Sequence, residues 1–180
     1  MKNQLIGALV ASLILFIWQF LSWAMLNLHG SEMSYTSNQD AIMEVLNANL
    51  EEGDYFLPTS PPTATMEEQQ AVMHNAVGKP WAKITYRAAM SNNMGMNMFR
   101  GWIVDFLAAF LLCWILLKMT NLDFKTCLLS SLAVGLIGYF TINYIDSIWF
   151  EGNSLPDLLD AVVQWGLCGA WLGWWLPSRV

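Results

Sequence analysis

Charged residues are scarce in this sequence. Only 12% of its 180 residues are charged, while 56% are hydrophobic. Soluble domains average about 25% charged residues, so the composition excludes a disordered chain and argues against an ordinary soluble domain. The net charge of −6 provides no basic surface for nucleic acid, and we therefore expect no nucleic-acid partner.

Sequence motifs of catalysis are also missing. There is no H-E-x-x-H, G-x-S-x-G, Walker lysine or C-x-x-C pattern, and the two histidines, His29 and His74, are scattered. The three cysteines, Cys113, Cys127 and Cys168, all fall inside apolar runs, so they predict no disulfide framework. We predict that the protein is not an enzyme, and the sequence assigns no cofactor.

Long apolar runs are abundant instead. Residues 5–26 contain no charged side chain, and about 20 apolar residues suffice to cross a hydrocarbon core of about 30 Å. Three later runs carry one acidic residue each: 101–117 with Asp105, 126–150 with Asp146, and 158–176 with Asp160. For the last run, which is short and rich in glycine, a re-entrant or interfacial segment is the alternative.

These runs predict an all-α membrane protein, a bundle of four transmembrane helices. The predicted helices cover residues 5–28, about 101–120, 126–150 and 158–176. A small α+β extracytoplasmic insert over 29–100 separates the first helix from the second, and the helices from 101 onward fill 101–180. The insert is too long for a plain connector and is therefore expected to fold.

Local patterns predict the elements of the insert. Apolar spacing indicates a helix over 40–50, and Thr65 followed by Glu68 is a capping box that starts a second helix reaching about residue 76. The aromatic segment 54–57 and the alternating segment 81–87 predict two strands.

Short flanking segments predict the orientation. The bases Lys2, Lys118, Lys125 and Arg179 flank one side of the predicted bundle against the single acid Asp123. Cytoplasmic flanks carry such an excess of bases. The first run is longer than a signal-peptide core, and no A-x-A site follows it, so an uncleaved anchor is the better interpretation. We predict a multi-pass protein of the bacterial inner membrane with both termini cytoplasmic.

Two segments resemble a known group of proteins. Residues 16–23 (F-I-W-Q-F-L-S-W) leading to His29, and residues 53–58 with the pattern G-x-Y-x-x-P, are similar to uncharacterised bacterial four-helix inner-membrane proteins with an extracytoplasmic insert after the first helix. Many of those proteins have Pro-Trp ahead of the histidine, where this chain has Asn27 and Leu28. The resemblance implies the topology and assigns no chemistry.

Acidic side chains near the ends of the predicted helices form a candidate polar cluster. Its residues are Asp105, Asp146, Asp160, Asn143, Gln164, His29 and Arg100. Ionisable groups within membrane helices are costly and indicate a site, which here could bind a cation or relay protons. The alternative is that the carboxylates are hydrated boundary residues, or pair with Arg100, Arg87 or His29.

Methionines form a second candidate site ahead of the second helix. Met90, Met94, Met96 and Met98 lie within nine positions of one another. Thioether sulfur selects Cu(I), so the segment is a candidate copper site. The alternative is an interfacial helix on which positions 90, 94 and 98 share a face.

Small residues at helical spacing predict close packing. They are Gly166, Gly169 and Gly173 in the fourth run and Ser131 and Gly135 in the third. Such residues let helix backbones approach closely, either inside the bundle or between subunits. We expect the glycine-bearing face of the fourth helix to be the docking stripe for a partner.

Two classes of function remain. The sequence favours an accessory, scaffold or assembly protein of a larger membrane complex, in contact with the lipid bilayer and with other membrane subunits or itself. The alternative is a small transporter or metal-handling protein that uses the acidic cluster or the methionines. Burial of the carboxylates separates the two, because a lumen favours transport and a wet rim favours the accessory role.

Overall fold

The computed structural model describes residues 1–179 and is mostly helical. Its elements in chain order are α1 (Lys2–Phe20), α2 (Gln39–Asn49), β1 (Gly53–Leu57), α3 (Met66–Ala76), β2 (Ala82–Tyr86), α4 (Met94–Leu116), α5 (Phe124–Gly138), α6 (Ile145–Phe150) and α7 (Leu155–Trp175). Two π-helical segments interrupt this pattern: π1 (Leu21–Met25) continues α1, and π2 (Tyr139–Tyr144) joins α5 to α6.

The chain divides into two compact units. One unit comprises Met1–Ser34 and the chain from Asn93 onward, and the other comprises Tyr35–Asn92. The second unit is shorter at both ends than the predicted insert 29–100. Residues 29–34 belong to the helical unit, and α4 starts at Met94, so Arg100 and three of the four candidate methionines lie in a helix.

Three helical stretches are long and apolar enough to cross a membrane. They are Lys2–Met25, Met94–Leu116 and Phe124–Phe150, which overlap the first three predicted spans and support a membrane protein by their length and composition. α7 forms the fourth helix of 21 residues, but it is not one of these stretches. It carries Asp157, Asp160 and Gln164 within its first half.

α1 packs against α4 through small and aliphatic side chains. Ala8, Ala11 and Leu15 on α1 join Ala109 and Leu112 on α4 in one buried core. Without a hydrophobic driving force between helices in lipid, such contacts stabilise mainly through close van der Waals packing. The outward helix faces remain apolar and exposed, as lipid-facing surfaces are.

Side-chain donors of α7 bond to carbonyl oxygens of α1 at regular intervals. Trp175 Nε1 donates to Asn3 O at 2.8 Å, and Trp171 Nε1 donates to Gly7 O at 3.0 Å. One turn further along, Cys168 Sγ donates to the carbonyl oxygen of α1 at residue 11 at 3.4 Å. This ladder fixes how α7 lies along α1.

The glycines of α7 face α5. A Cβ atom added at Gly169 would lie 2.9 Å from Leu128 Cα and from Ser131 Cβ, and one added at Gly173 would lie 2.9 Å from Phe124 O. Only glycine permits this approach of the two backbones. Gly169 and Gly173 therefore pack within the chain, which is one of the two alternatives that the sequence left open. Docking of a partner on this face of α7 stays a prediction.

The other predicted small residues take less uniform positions. Gly135 on α5 lies against Trp165 of α7, whereas a Cβ at Gly166 would meet only Leu132 Cδ2 at 3.5 Å, an ordinary contact. Ser131 is buried, and its hydroxyl donates to Cys127 O at 2.7 Å.

The second unit holds a two-stranded antiparallel sheet and two helices. β1 and β2 pair with Gly53 opposite Tyr86 and Leu57 opposite Ala82, which confirms both predicted strands. The predicted capping box is also present: Glu68 N donates to Thr65 Oγ1 at 3.3 Å, and Thr65 N donates to the Glu68 carboxylate at 2.7 Å. These bonds lower the pKa of Glu68.

Candidate functional site

A chain reversal after π1 brings His29 against the bundle. Asn27 adopts a left-handed backbone with φ 50°, and Leu28 N donates to the carbonyl oxygen of Ser22 at 3.0 Å. Asparagine tolerates this conformation better than most residues. His29 is thereby folded back onto π1, where its ring stacks on Trp23 with centroids 4.1 Å apart and planes 2° from parallel.

His29 joins two carboxylates. Its Nε2 lies 2.9 Å from Asp160 Oδ2 on α7, and its Nδ1 lies 2.8 Å from Glu32 Oε1 in the same loop. The side chains of His29 and Asp160 are 3% and 13% exposed, and that of Glu32 is 29% exposed. A protonated ring donates to both carboxylates, whereas a neutral ring has only one N–H to donate.

The carboxylates raise the pKa of His29. Burial acts in the opposite direction, because it disfavours the charged form, but the hydrogen bonds and charges of Asp160 and Glu32 outweigh it. The pKa of His29 therefore lies above its ordinary value of 6.5. The protonated ring is the form that this surrounding favours.

Adjacent side chains of α1 reach carboxylates on two other helices. Trp18 Nε1 donates to Asp160 Oδ1 at 2.9 Å, and Gln19 Nε2 donates to Asp105 Oδ1 at 3.0 Å. Asp105 and Asp160 are both buried, and Asp105 Oδ2 has no hydrogen-bond partner among the described residues. The end of α1 therefore links α4 and α7 through polar contacts.

A cavity of about 270 Å³, here termed the inner cavity, lies beside these groups. Its polar lining residues are Gln19, His29, Asn143, Asp157, Asp160 and Gln164. Its aromatic lining residues are Trp23, Tyr139 and Trp165. Pockets for organic ligands begin at about 300 Å³, so the inner cavity suits a molecule of few atoms.

A larger polar cavity of about 640 Å³, the outer cavity, shares residues with the inner one. Ile142, Asn143 and Asp157 line both. Asn143 Nδ2 donates to Asp157 Oδ1 at 2.6 Å, so this hydrogen bond lies where the two cavities meet. Glu32 lines the outer cavity and His29 the inner one, and their contact therefore bridges the two.

Both π-helical segments border the inner cavity. Trp23 belongs to π1, and Tyr139, Ile142 and Asn143 belong to π2. Single π-helical turns within α-helices are rare and occur frequently at functional sites. The helices thus depart from regular geometry at the place where the polar groups gather.

The structure brings together part of the predicted polar cluster. Asp160, Asn143, Gln164 and His29 all line the inner cavity. Of the alternatives left open by the sequence, pairing with His29 is the one that the structure shows for Asp160.

The remaining members of the predicted cluster lie elsewhere. Asp105 is connected to the inner cavity through Gln19, which lines it. Asp146 lines the outer cavity. Arg100 is an exposed residue of α4.

The candidate copper-binding methionines do not share one helix face. Met94, Met96 and Met98 lie in the first turns of α4, and Met90 precedes it. Positions 94 and 98 share a face of an α-helix, whereas position 96 points away from them. All four side chains are exposed. The predicted alternative, an interfacial helix with positions 90, 94 and 98 on one face, is therefore met only at Met94 and Met98, because Met90 lies outside the helix. Copper binding by these residues stays a prediction.

The predicted cluster omits Trp18, Glu32 and Asp157. Each has a local signal: Trp18 precedes Gln19, the strongly polar residue of the first apolar run, and Glu32 and Asp157 lie three positions from His29 and Asp160. Including the polar and aromatic neighbours of each candidate residue along the chain would therefore have identified all three.

The second unit contains its own cavity, of about 680 Å³. Its lining includes Leu57, Val72 and Trp81, and its polar members are Asn75 and Lys79. No acidic residue or histidine is among the described residues that line it. Of these two cavities, the inner cavity is smaller but is the one lined by carboxylates and a histidine.

The inner cavity is suited to recognition by charge and hydrogen bonding. Its carboxylates accept hydrogen bonds, and its aromatic faces attract cations. Within residues 1–179, no three His, Cys, Asp or Glu side chains are grouped so as to hold a metal ion.

No protein-family model, no curated protein and no solved structure matches this chain. A function must therefore follow from the geometry of the site.

Proposed function

We propose that the protein binds a small polar solute in the inner cavity and that it belongs to the small-transporter class of membrane proteins. The observation that carries this proposal is the buried, hydrogen-bonded contact between His29 and Asp160 beside a cavity of about 270 Å³. A carboxylate in a binding cavity is buried, whereas one at the hydrated membrane boundary is exposed. Asp160 is only 9% exposed and therefore belongs to the first kind.

The energetics of the site support this choice. Burying a carboxylate and a histidine costs free energy that their mutual attraction repays only in part, and apolar residues of similar volume would often stabilise as well. Ionisable groups inside a membrane bundle are therefore expected to be retained for binding or transport. The position of both π-helical segments at the same cavity agrees with this role.

The proposal includes a specific topology. We place α7 across the membrane as a fourth span, since its 21 residues are long enough and it packs along α1 and α5. Both termini are then cytoplasmic, and the second unit, Tyr35–Asn92, is extracytoplasmic in a bacterial inner membrane.

Cysteine labelling tests the topology. An impermeant maleimide is expected to label Ser60→Cys in intact cells and to label Ser178→Cys only after lysis. Both positions lie outside the helices and strands, and Cys113, Cys127 and Cys168 are buried, which keeps background labelling low. Labelling of Ser178→Cys in intact cells contradicts the proposed orientation.

Ligand stabilisation tests the binding function. The detergent-purified protein is heated with a panel of small ammonium ions, neutral amides and carboxylates. A true ligand is expected to raise the unfolding midpoint, because 100 Kd of ligand stabilises by about 2.7 kcal/mol. It is also expected to change the tryptophan fluorescence, since Trp23 and Trp165 line the cavity.

A pair of variants makes this test specific. Asp160→Asn removes a charge from the inner cavity and is expected to abolish the stabilisation. Asp40→Asn removes a charge from the exposed first turn of α2 and is expected to preserve it. If no solute in the panel acts on the wild-type protein, or if both variants respond equally, the proposed function is wrong.

The accessory or scaffold role remains a prediction from the sequence. Its expected docking stripe, the glycine face of α7, is occupied by α5, so it has no comparable structural support. Gentle extraction followed by identification of stoichiometric membrane partners would favour that role over solute binding.

A further inference from the structure

We propose that the solute is a small primary ammonium ion and that it binds in exchange for the proton that His29 carries. The inference rests on the proposed function, because it names the ligand of the inner cavity and the event coupled to its binding.

The lining of the inner cavity offers acceptors and negative charge. Asp157 and Asp160 both line it. Gln164 lines it as well, and its Oε1 is a buried acceptor without a partner among the described residues. A ligand that is positively charged and carries several N–H donors satisfies such a set, whereas an anionic ligand would be repelled by the two carboxylates.

The aromatic walls favour an organic cation. Tyr139 and Trp165 line the same cavity, and aromatic faces attract ammonium groups. A metal ion needs several converging ligands, and no such group of His, Cys, Asp or Glu exists among residues 1–179. The cavity volume of about 270 Å³ limits the ligand to a small amine.

The His29 ring lies between Asp160 and Glu32, with Nε2 at 2.9 Å from the Asp160 carboxylate. In its protonated form this ring supplies one positive charge at the site. A second cation placed beside Asp160 is repelled by that ring. Loss of the proton removes the repulsion, so deprotonation of His29 and binding of the ammonium ion favour each other.

The groups that face His29 from each neighbouring element are acidic or neutral, so none of them would repel a bound cation. Its own loop contributes Glu32, and α7 contributes Asp157 and Asp160, all acidic. π2 contributes Tyr139 and Asn143 to the shared cavity. On the side of α1 and π1 lie Gln19, which links to Asp105 on α4, and Trp23, which stacks on the ring. Among the described residues that line the cavity, His29 is the sole base.

The exchange conserves charge. One ammonium ion enters beside Asp160 while one proton leaves Nδ1 of His29, so the net charge of the site is unchanged. The neutral ring keeps its Nε2–H on Asp160. The proton leaves toward Glu32, which lines the outer cavity and is 29% exposed, so its carboxylate can pass the proton to solvent.

Calorimetry with methylammonium tests this exchange on the full-length protein in detergent. Binding is measured between about pH 5 and 8, a range that contains the ordinary pKa of histidine and in which methylammonium stays charged. Buffers of different ionisation heat report the protons released. We expect close to one proton released per cation at the acidic end and an affinity that rises up to about tenfold per pH unit before levelling off.

Ligand and residue variants separate the two parts of the inference. Tetramethylammonium keeps the charge but has no N–H donor, and it is expected to bind about tenfold more weakly, as the loss of one charge-assisted hydrogen bond implies. His29→Gln is expected to bind methylammonium without proton release and with an affinity independent of pH. His74→Gln, which changes the exposed histidine of α3, is expected to behave as wild type.

If His29→Gln is not recovered folded, Glu32→Gln takes its place. Removing that negative charge lowers the pKa of His29, so the pH at which the affinity levels off is expected to move down. An unchanged levelling point contradicts the role of His29.

The outcomes distinguish this inference from the proposed function. Methylammonium binding without proton release, or equal release by His29→Gln, overturns the exchange. Preferential binding of a neutral or anionic solute overturns the ammonium class. In all these cases a solute still binds in the cavity, and the proposed function stands. If no solute of the wider panel binds, both proposals fail.

Discussion

Nε2 of His29 lies 2.9 Å from Oδ2 of Asp160, although the two residues are 131 positions apart in the chain. The contact joins the loop after π1 to the first turns of α7. Trp18 bonds to the other oxygen of the same carboxylate from α1, so Asp160 connects both sides of the chain reversal. Asp160 thus connects α7 to both α1 and the loop after π1.

We expect His29→Gln and Asp160→Asn to be energetically coupled. Each single change leaves a buried partner incompletely satisfied, which costs about 3 kcal/mol for an ion pair of this kind. The double variant is expected to lose less than the sum, by between about 0.5 and 3 kcal/mol. Denaturant unfolding of the purified protein measures all four species, and strict additivity would show that the contact is not formed.

Stability is expected to fall as the pH rises above the ordinary histidine pKa of 6.5. The pKa of His29 is raised in the folded protein, so the folded state binds this proton more tightly than the unfolded state. The resulting stabilisation is fully present below the ordinary value of 6.5 and is lost as the pH rises through the higher folded value. Unfolding midpoints recorded from about pH 5 to 8 check this direction.

Substituting each histidine in turn shows whether His29 causes that pH dependence of stability. His29→Gln is expected to flatten the profile, whereas His74→Gln on exposed α3 is expected to leave it unchanged. A profile that survives in His29→Gln would assign the titration to another group.

Much of the fold could be predicted because it is encoded in local patterns. The uncharged run 5–26 becomes α1 and π1, and the capping pair Thr65 and Glu68 starts α3. The alternating residues around Ile84 become β2. Each of these features depends on neighbours within a few positions, which a sequence displays directly.

The site could be predicted only in part. Asp160 and His29 were recognisable because an ionisable group beside an apolar run is costly, but their contact depends on the left-handed turn at Asn27. The π geometry of residues 139–144 also changes which side chains face the cavity, and a regular helical period does not anticipate it. The contact of Trp18 with Asp160 spans 142 positions and has no local signature.

Trp171→Phe is expected to destabilise the helical unit by about 0.5–1 kcal/mol. The change keeps an aromatic ring but removes the hydrogen bond from Nε1 to Gly7 O, and bonds between membrane helices contribute on this scale. Trp174→Phe is the matched control, because that side chain is 62% exposed. Unfolding in detergent compares the two, and equal losses would show that the bond to α1 contributes nothing.

The glycines of α7 provide the sharpest test of how α5 and α7 pack. Gly169→Ala is expected to destabilise by about 1–3 kcal/mol, because its new Cβ would lie 2.9 Å from Leu128 Cα and from Ser131 Cβ, and neither atom can rotate away. Gly166→Ala, one turn earlier, meets only Leu132 Cδ2 at 3.5 Å, and alanine also restricts the unfolded chain more than glycine does. That variant is therefore expected to be as stable as wild type or more stable. Unfolding of the purified monomer measures both variants; if Gly169→Ala keeps full stability but loses a larger complex on gentle extraction, the glycine face serves a partner and not α5.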